Sequence, residues 1–140
     1  MPSDHKDYSA TPLAKKLGIR EGSRVRIDSA PDGFTLDPMP SATLVPRART
    51  DLDVVVLFVT RRADLEKRFS ALARGLAPDG RLWVAWPKKA SKVETDLTFE
   101  IVQRHGLFVG LVDNKSASID DVFQGLQFVI RVKDRPKPSR

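Results

Sequence analysis

The sequence predicts an α/β domain of three layers, in which a mostly parallel sheet with an antiparallel last strand lies between helices. Three observations predict it. Asp53 to Val59 is continuously apolar after its first residue, as in a strand covered on both faces of a parallel sheet. Leu65, Phe69, Leu72, Ala73 and Leu76 then recur at helical spacing, with Arg61, Arg62, Glu66, Lys67, Ser70 and Arg74 off that face. Leu82 to Trp86 follows as a second buried strand, so the three segments form a βαβ unit with an expected right-handed crossover.

The remaining elements fall around this centre. Thr11-Pro12 reads as a helix start, Leu13 and Leu17 share one face, and Gly18 closes the helix in left-handed backbone. Val25 to Ala30 is a first strand after the Glu21-Gly22 turn. Residues 31–52 hold Pro31, Pro38, Pro40 and Pro46, which leaves little room for regular helix. Leu44-Val45 reads as a short strand of open direction; if it is parallel, the link to the next strand must be bare and extended, being too short for a helix. Thr60 is the expected cap of the central helix, Asp64 and Arg68 its i,i+4 pair, and Gly75 its left-handed end, before the Pro78-Asp79-Gly80 turn. Ser91 and Glu94 have capping-box spacing, with Asp96 as another cap, and Val93, Leu97 and Ile101 carry a third helix to about His105, ended by Gly106. Phe108 to Val112 and Leu126 to Val132 complete the sheet, the last strand antiparallel to its neighbour.

Length and composition narrow the functional classes. The 140 residues suit one domain with one core, expected over 11–132, after a polar disordered arm at 1–10 and before a basic, Pro-rich tail at 133–140. The absence of cysteine removes disulfides, thiolate metal sites and cysteine nucleophiles together, and suits a cytoplasmic location. No apolar run approaches the roughly 20 residues that cross a bilayer, and the N-terminus lacks the apolar stretch of a signal peptide. Residues 131–140 carry Arg131, Lys133, Arg135, Lys137 and Arg140 against Asp134 alone, so most of the +6 net charge sits in the tail. The folded part is then too weakly basic to favour nucleic acid, and the helix over 61–75 mixes signs. His5 and His105 are far apart, which disfavours a structural zinc site; His105 is expected at a helix end, where a cation suits the dipole. Ser91, Ser116 and Ser118 stand in no recognisable relation to a histidine, and Asp120-Asp121 reads as a turn or cap.

Two resemblances enter here. The phrase from Leu72 to Pro87, centred on Leu76-Ala77-Pro78-Asp79-Gly80-Arg81-Leu82, and the stretch Leu17 to Val25 resemble the class I methyltransferases. That resemblance implies a Rossmann-like fold, shortened by at least one helix–strand unit. Family members that bind S-adenosylmethionine carry a glycine-rich turn after the first strand; its three glycine positions fall on Ser29, Pro31 and Gly33. The acidic position at the strand end falls on Ile27, with Asp28 next to it, and Arg47 lies near the place of the ribose-binding carboxylate. With so much of that pocket missing, no cofactor is expected. The phrases Thr11 to Ile19, Trp83 to Ser91 and Gly110 to Lys115 resemble the family called domain of unknown function 3052, which implies a bacterial origin and brings no activity with it.

The candidate site follows from topology, because ligands of open parallel sheets sit beyond the carboxyl ends of the strands. Those ends would gather Gly33, Trp86, Lys88, Lys89, Lys92, Asp113, Asn114 and Lys115 on one rim. The lysines, beside an expected helix N-terminus, suit a phosphate, carboxylate or nucleotide-like ligand. Trp83 and Trp86 point to opposite faces, Trp83 into the core and Trp86 either onto a ligand ring or beneath a helix. The leading expectation is therefore an anionic small molecule, or a protein partner, bound at this edge. A divergent methyltransferase-like enzyme is one alternative; an interaction module using the tail or residues 36–46, or a weak nucleic-acid binder acting through the basic tail, is the other.

Overall fold

A computed structural model describes residues 11–47 and 50–135. The expected arm at 1–10, with His5, and the end of the tail from 136 lie outside the described residues. The chain runs α1 (Leu13–Leu17), β1 (Arg24–Asp28), β2 (Thr43–Leu44), β3 (Leu52–Phe58), α2 (Arg62–Arg74), β4 (Leu76–Pro87), α3 (Phe99–Val109), β5 (Leu111–Ser118) and β6 (Phe123–Ile130). One six-stranded sheet results, in the order β2-β1-β3-β4-β6-β5. β2, β1, β3 and β4 are mutually parallel, and β6 runs antiparallel to both β4 and β5. This is the expected Rossmann-like α/β architecture with an antiparallel final strand.

Strand periodicity divides the core between two faces. Val55, Leu57, Leu82, Val84, Trp86 and Phe128 point towards Leu65, Phe69 and Leu72 of α2 and Val102 of α3. Val54, Val56, Trp83 and Ala85 point to the other face, beneath Ala14 and Leu17 of α1 and Leu36 of the β1–β2 connection. The indole N–H of Trp83 donates to the buried carbonyl of Leu17 at 3.0 Å, tying α1 to the central strand. The tryptophans thus face opposite sides as expected, and Trp86, only 2% exposed, packs edge-on to Phe99.

The short strand is parallel, and the link to β3 is bare. β2 pairs only with the first residues of β1, so the chain needs little height to return and seven residues suffice. Val45 and Arg47, which follow β2, lie on the α2 face of the sheet.

The third helix differs from its expected span. Residues 89–91 form only a single 3-10 turn, and α3 starts at Phe99, capped by Thr98, whose hydroxyl accepts from the Ile101 amide. The intervening residues serve α2 instead. Asp96 accepts from the Arg62 amide at 2.7 Å, and the Thr95 hydroxyl donates to the Thr60 carbonyl. Asp96, not Thr60, caps α2. Gly75 ends α2 in right-handed backbone at φ −89°, so its expected left-handed role is also corrected. Gly106 lies inside α3, and Gly110, at φ 112°, terminates it. β5 accordingly begins at Leu111, not Phe108, and extends through the polar run to Ser118 because β6 pairs with it throughout.

Candidate functional site

The rim expected from sequence is not assembled as one site. Asp113, Asn114 and Lys115 lie within β5, not beyond its end. Asn114 stands four residues before Ser118, about 13 Å down the strand. Its carbonyl oxygen accepts from Gln127 at 2.8 Å. Asp113 accepts from Gln103 of α3, and Lys115 donates to the Lys16 carbonyl. All three are engaged in packing one edge strand. Lys88 does reach the carboxyl rim, where its ammonium donates to the Ser118 hydroxyl at 2.7 Å. With Trp86, Lys89 and Gln124 it lines a cavity of about 480 Å³. Lys92 stands after the short turn in left-handed backbone, φ 62°, and Gly33 sits in the β1–β2 connection at φ 83°. Neither borders that cavity. The expected helix N-terminus beside the lysines is absent, since residues 89–91 make one turn and α3 begins eight residues later.

A different place fits the topology better. β1 leads outward to β2, whereas β3 leads the opposite way to β4, so the order reverses between β1 and β3. Ligands of open α/β sheets enter at such a switch point. There the structure places a crevice of about 260 Å³ bounded by Ser29, Phe58, Thr60, Asp64, Arg68 and Phe123. Phe58 packs edge-on against Phe34 and Phe123, at 4.9 and 5.1 Å between centroids, and makes a rigid floor.

Behind Arg68, on the α2 side of β1, lies Asp28. Its carboxylate is 12% exposed and accepts from Arg68 at 2.7 Å, Arg26 at 3.3 Å and the Ser29 hydroxyl at 2.7 Å. Arg68 also reaches the Ser29 hydroxyl. Burial disfavours ionisation of Asp28, but the hydrogen bonds from Ser29 and Arg68, the charge of Arg68 and the hydrogen bond from Arg26 together outweigh it and hold the carboxyl below its ordinary value. Asp28 is thus a fixed anion at neutral pH. Arg68 was expected to pair with Asp64 on its own helix; instead it crosses to β1, and the i,i+4 pair of α2 is Arg62–Glu66. Nothing local in the sequence links Asp28 to Arg68, although a carboxylate at the end of the first strand was the available signal.

His105 is also corrected. It lies within α3 with its ring edge-on to Phe69 at 5.2 Å, and its Nε2 is buried without a hydrogen-bond partner. Burial lowers its pKa, against the opposing charge of Glu66 and with that of Arg62, so the neutral imidazole is favoured. Among the described residues no group of three histidines or carboxylates is arranged to hold a metal, and no helix is long and apolar enough to cross a membrane. Asp120 does serve a turn, accepting from the amides of Val122 and Phe123.

The residues around the crevice do not fit S-adenosylmethionine. The cavity is smaller than the roughly 300–1,000 Å³ of small-molecule pockets. Only Gly33 of the three glycine positions is glycine, and Ser29 already occupies left-handed backbone at φ 62°. The Arg68 guanidinium, on the rim of the crevice, sets a positive charge that disfavours a cationic sulfonium.

No protein-family model matches the sequence, and no curated protein matches it. Solved structures do. A TehB-like SAM-dependent methyltransferase from Corynebacterium glutamicum superposes with a TM-score of 0.57 at 15% identity, over 85% of each chain. LepI, in complex with SAH and a substrate analogue, gives 0.55 at 11% identity, over 94% of this chain and 50% of its own. The fibrillarin pre-rRNA processing protein of Methanococcus jannaschii gives 0.51 at 10% identity, over 84% of this chain and 73% of its own. At these identities the likeness is one of fold, and the chain has the Rossmann-like α/β fold of the class I SAM-dependent methyltransferases.

Proposed function

We propose that this chain is a divergent methyltransferase-like domain that binds a small ligand in the crevice between β1 and β3. The observation that carries the reading is the crevice at the switch point of the sheet, with a rigid aromatic floor and, on its rim, Arg68 held in place by the ionised Asp28 behind it. Thr60 and Asp64 supply further polar contacts, and Phe58 and Phe123 supply a surface for a planar or apolar group. This moves the binding edge expected from Lys88 and Asn114 to the other side of β3.

Catalysis by methyl transfer is the second reading, favoured by the fold shared with the TehB-like methyltransferase. Calorimetric titration with SAM and SAH separates the two. The binding reading expects affinities for both weaker than millimolar, and a thermal-shift response to metabolites smaller than a nucleoside that Phe58→Ala abolishes. Sub-millimolar SAH binding, lost in Asp28→Asn, would instead establish the methyltransferase reading.

A further inference from the structure

We propose that a second cavity, lined by Arg26, Arg47, Lys67, Arg68 and Arg74, is a binding site for a small phosphate-bearing ligand with at least two phosphate charges. It is distinct from the crevice reading, because the cavity lies on the α2 face beside β1, and Arg68 borders both.

Five cations line this cavity against one carboxylate, Asp28. That carboxylate is already held by Arg26 and Arg68. Among the described residues Arg47, Lys67 and Arg74 form no ion pair, so their charge is unspent. The cavity measures about 670 Å³, and Leu52, Ala71 and Leu72 give it apolar walls. That volume lies in the range of small-molecule sites. A concave, low-dielectric wall carrying one sign of charge focuses the field on an anion. Arginine forks also match phosphate oxygens in pairs.

Two features of the chain create the site. Arg47, after β2, lies beside Leu72 and Arg74 at the end of α2. α2 mixes signs in sequence but separates them in space. Lys67, Ala71 and Arg74, spaced four and three apart, share the cavity stripe. Of its acids, Asp64 faces the crevice and Glu66 the groove towards α3. The weakly basic average over the fold therefore conceals one strongly basic concavity. A single basic concavity of about 670 Å³ matches the size of a small polyphosphate, whereas an extended nucleic acid strand needs a longer basic track.

Calorimetric titration of the full chain at low salt with ATP, inorganic pyrophosphate, adenosine and a mixed-sequence single-stranded 20-mer tests the proposal. ATP and pyrophosphate are expected to bind, and adenosine to bind at least tenfold more weakly. Lys67→Glu with Arg74→Glu should weaken ATP binding at least tenfold with little change in melting temperature, since neither residue forms an ion pair among the described residues. Lys88→Ala with Lys89→Ala, on the distant rim, should leave it unchanged. Adenosine binding as tightly as ATP, ATP affinity unmoved by the charge reversal, or no binding of ATP or pyrophosphate below millimolar would each overturn the site. Tighter binding of the 20-mer than of ATP would overturn it in favour of nucleic acid.

Discussion

Replacing Gly106 with alanine places two physical effects in opposition. An interior helical glycine costs about 1 kcal/mol relative to alanine, so on helix propensity alone Gly106→Ala stabilises. The packing argues the reverse. A Cβ at Gly106 would lie 2.0 Å from Phe128 Cε1 and 2.5 Å from its Cδ1. Neither side can yield easily: Phe128 is fully buried and its ring stands against Phe69 at 5.3 Å. Relief needs α3 to lift by more than an ångström, and such overpacking costs about 1–3 kcal/mol or more. The overlap places the penalty at or above the upper end, leaving a net loss of about 2 kcal/mol after the propensity gain. For a chain of this size that lowers the melting temperature by about 6–8 °C. Urea denaturation of Gly106→Ala, Phe128→Leu and the double variant measures it. Shortening the ring should remove much of the clash, so the two losses should couple by about 1 kcal/mol or more. A raised melting temperature for Gly106→Ala would refute the docking of α3 on β6.

Asp96→Ala should cost about 1 kcal/mol, because the first amide of α2 loses its acceptor, whereas Thr60→Ala should change stability by less than about 0.5 kcal/mol; equal losses in thermal melts would refute the cap. Trp83→Phe removes the donor to the buried Leu17 carbonyl and opens a small void, so about 2–4 kcal/mol should be lost by chemical denaturation, and a loss below about 1 kcal/mol would mean that α1 is not anchored there. His105 has its folded pKa depressed by burial, facing Glu66 and Arg62 of α2 with Arg104 beside it. Its contribution to stability is therefore complete above the unfolded value near 6.5 and declines as the pH falls below it. Melting temperatures between pH 7 and 5 should fall less steeply in His105→Phe than in the parent, and an identical slope would exclude this histidine as the cause.

The parts of the fold legible in sequence are those whose signal is local. The all-apolar run of β3 and the apolar stripe of α2 have no competing reading, and their places in the sheet follow. Misreadings arose where a tertiary partner decides. Thr95 and Asp96 look like the beginning of a helix, but their side chains are committed to α2, so α3 cannot start before Thr98. The run Asp113 to Ser118 is polar enough to read as a loop, yet an edge strand tolerates such residues. Lys115, with the register shift beside Asn114, also blunts an exposed edge. The candidate site was legible only as a principle, that strand ends gather ligands. Which side chains meet there depends on pairs such as Asp28 and Arg68, forty residues apart.

The shortened topology accounts for both cavities. Between β1 and β2 the chain has no helix; its proline-rich run instead folds over the α1 face, where Phe34, Leu36 and Met39 pack on the sheet. The α2-facing side of β1 is consequently left without a helical neighbour, and its residues there are Arg26 and Asp28, not apolar ones. Charge on this strand face is held by pairing: Arg68 leans off α2 and, with Arg26 and Ser29, offsets the burial of Asp28. The same movement narrows the crevice at the switch point and leaves Arg26 and Arg47 facing Lys67 and Arg74 across the neighbouring cavity. The narrow crevice and the basic cleft thus share one origin in the absence of a helix between β1 and β2.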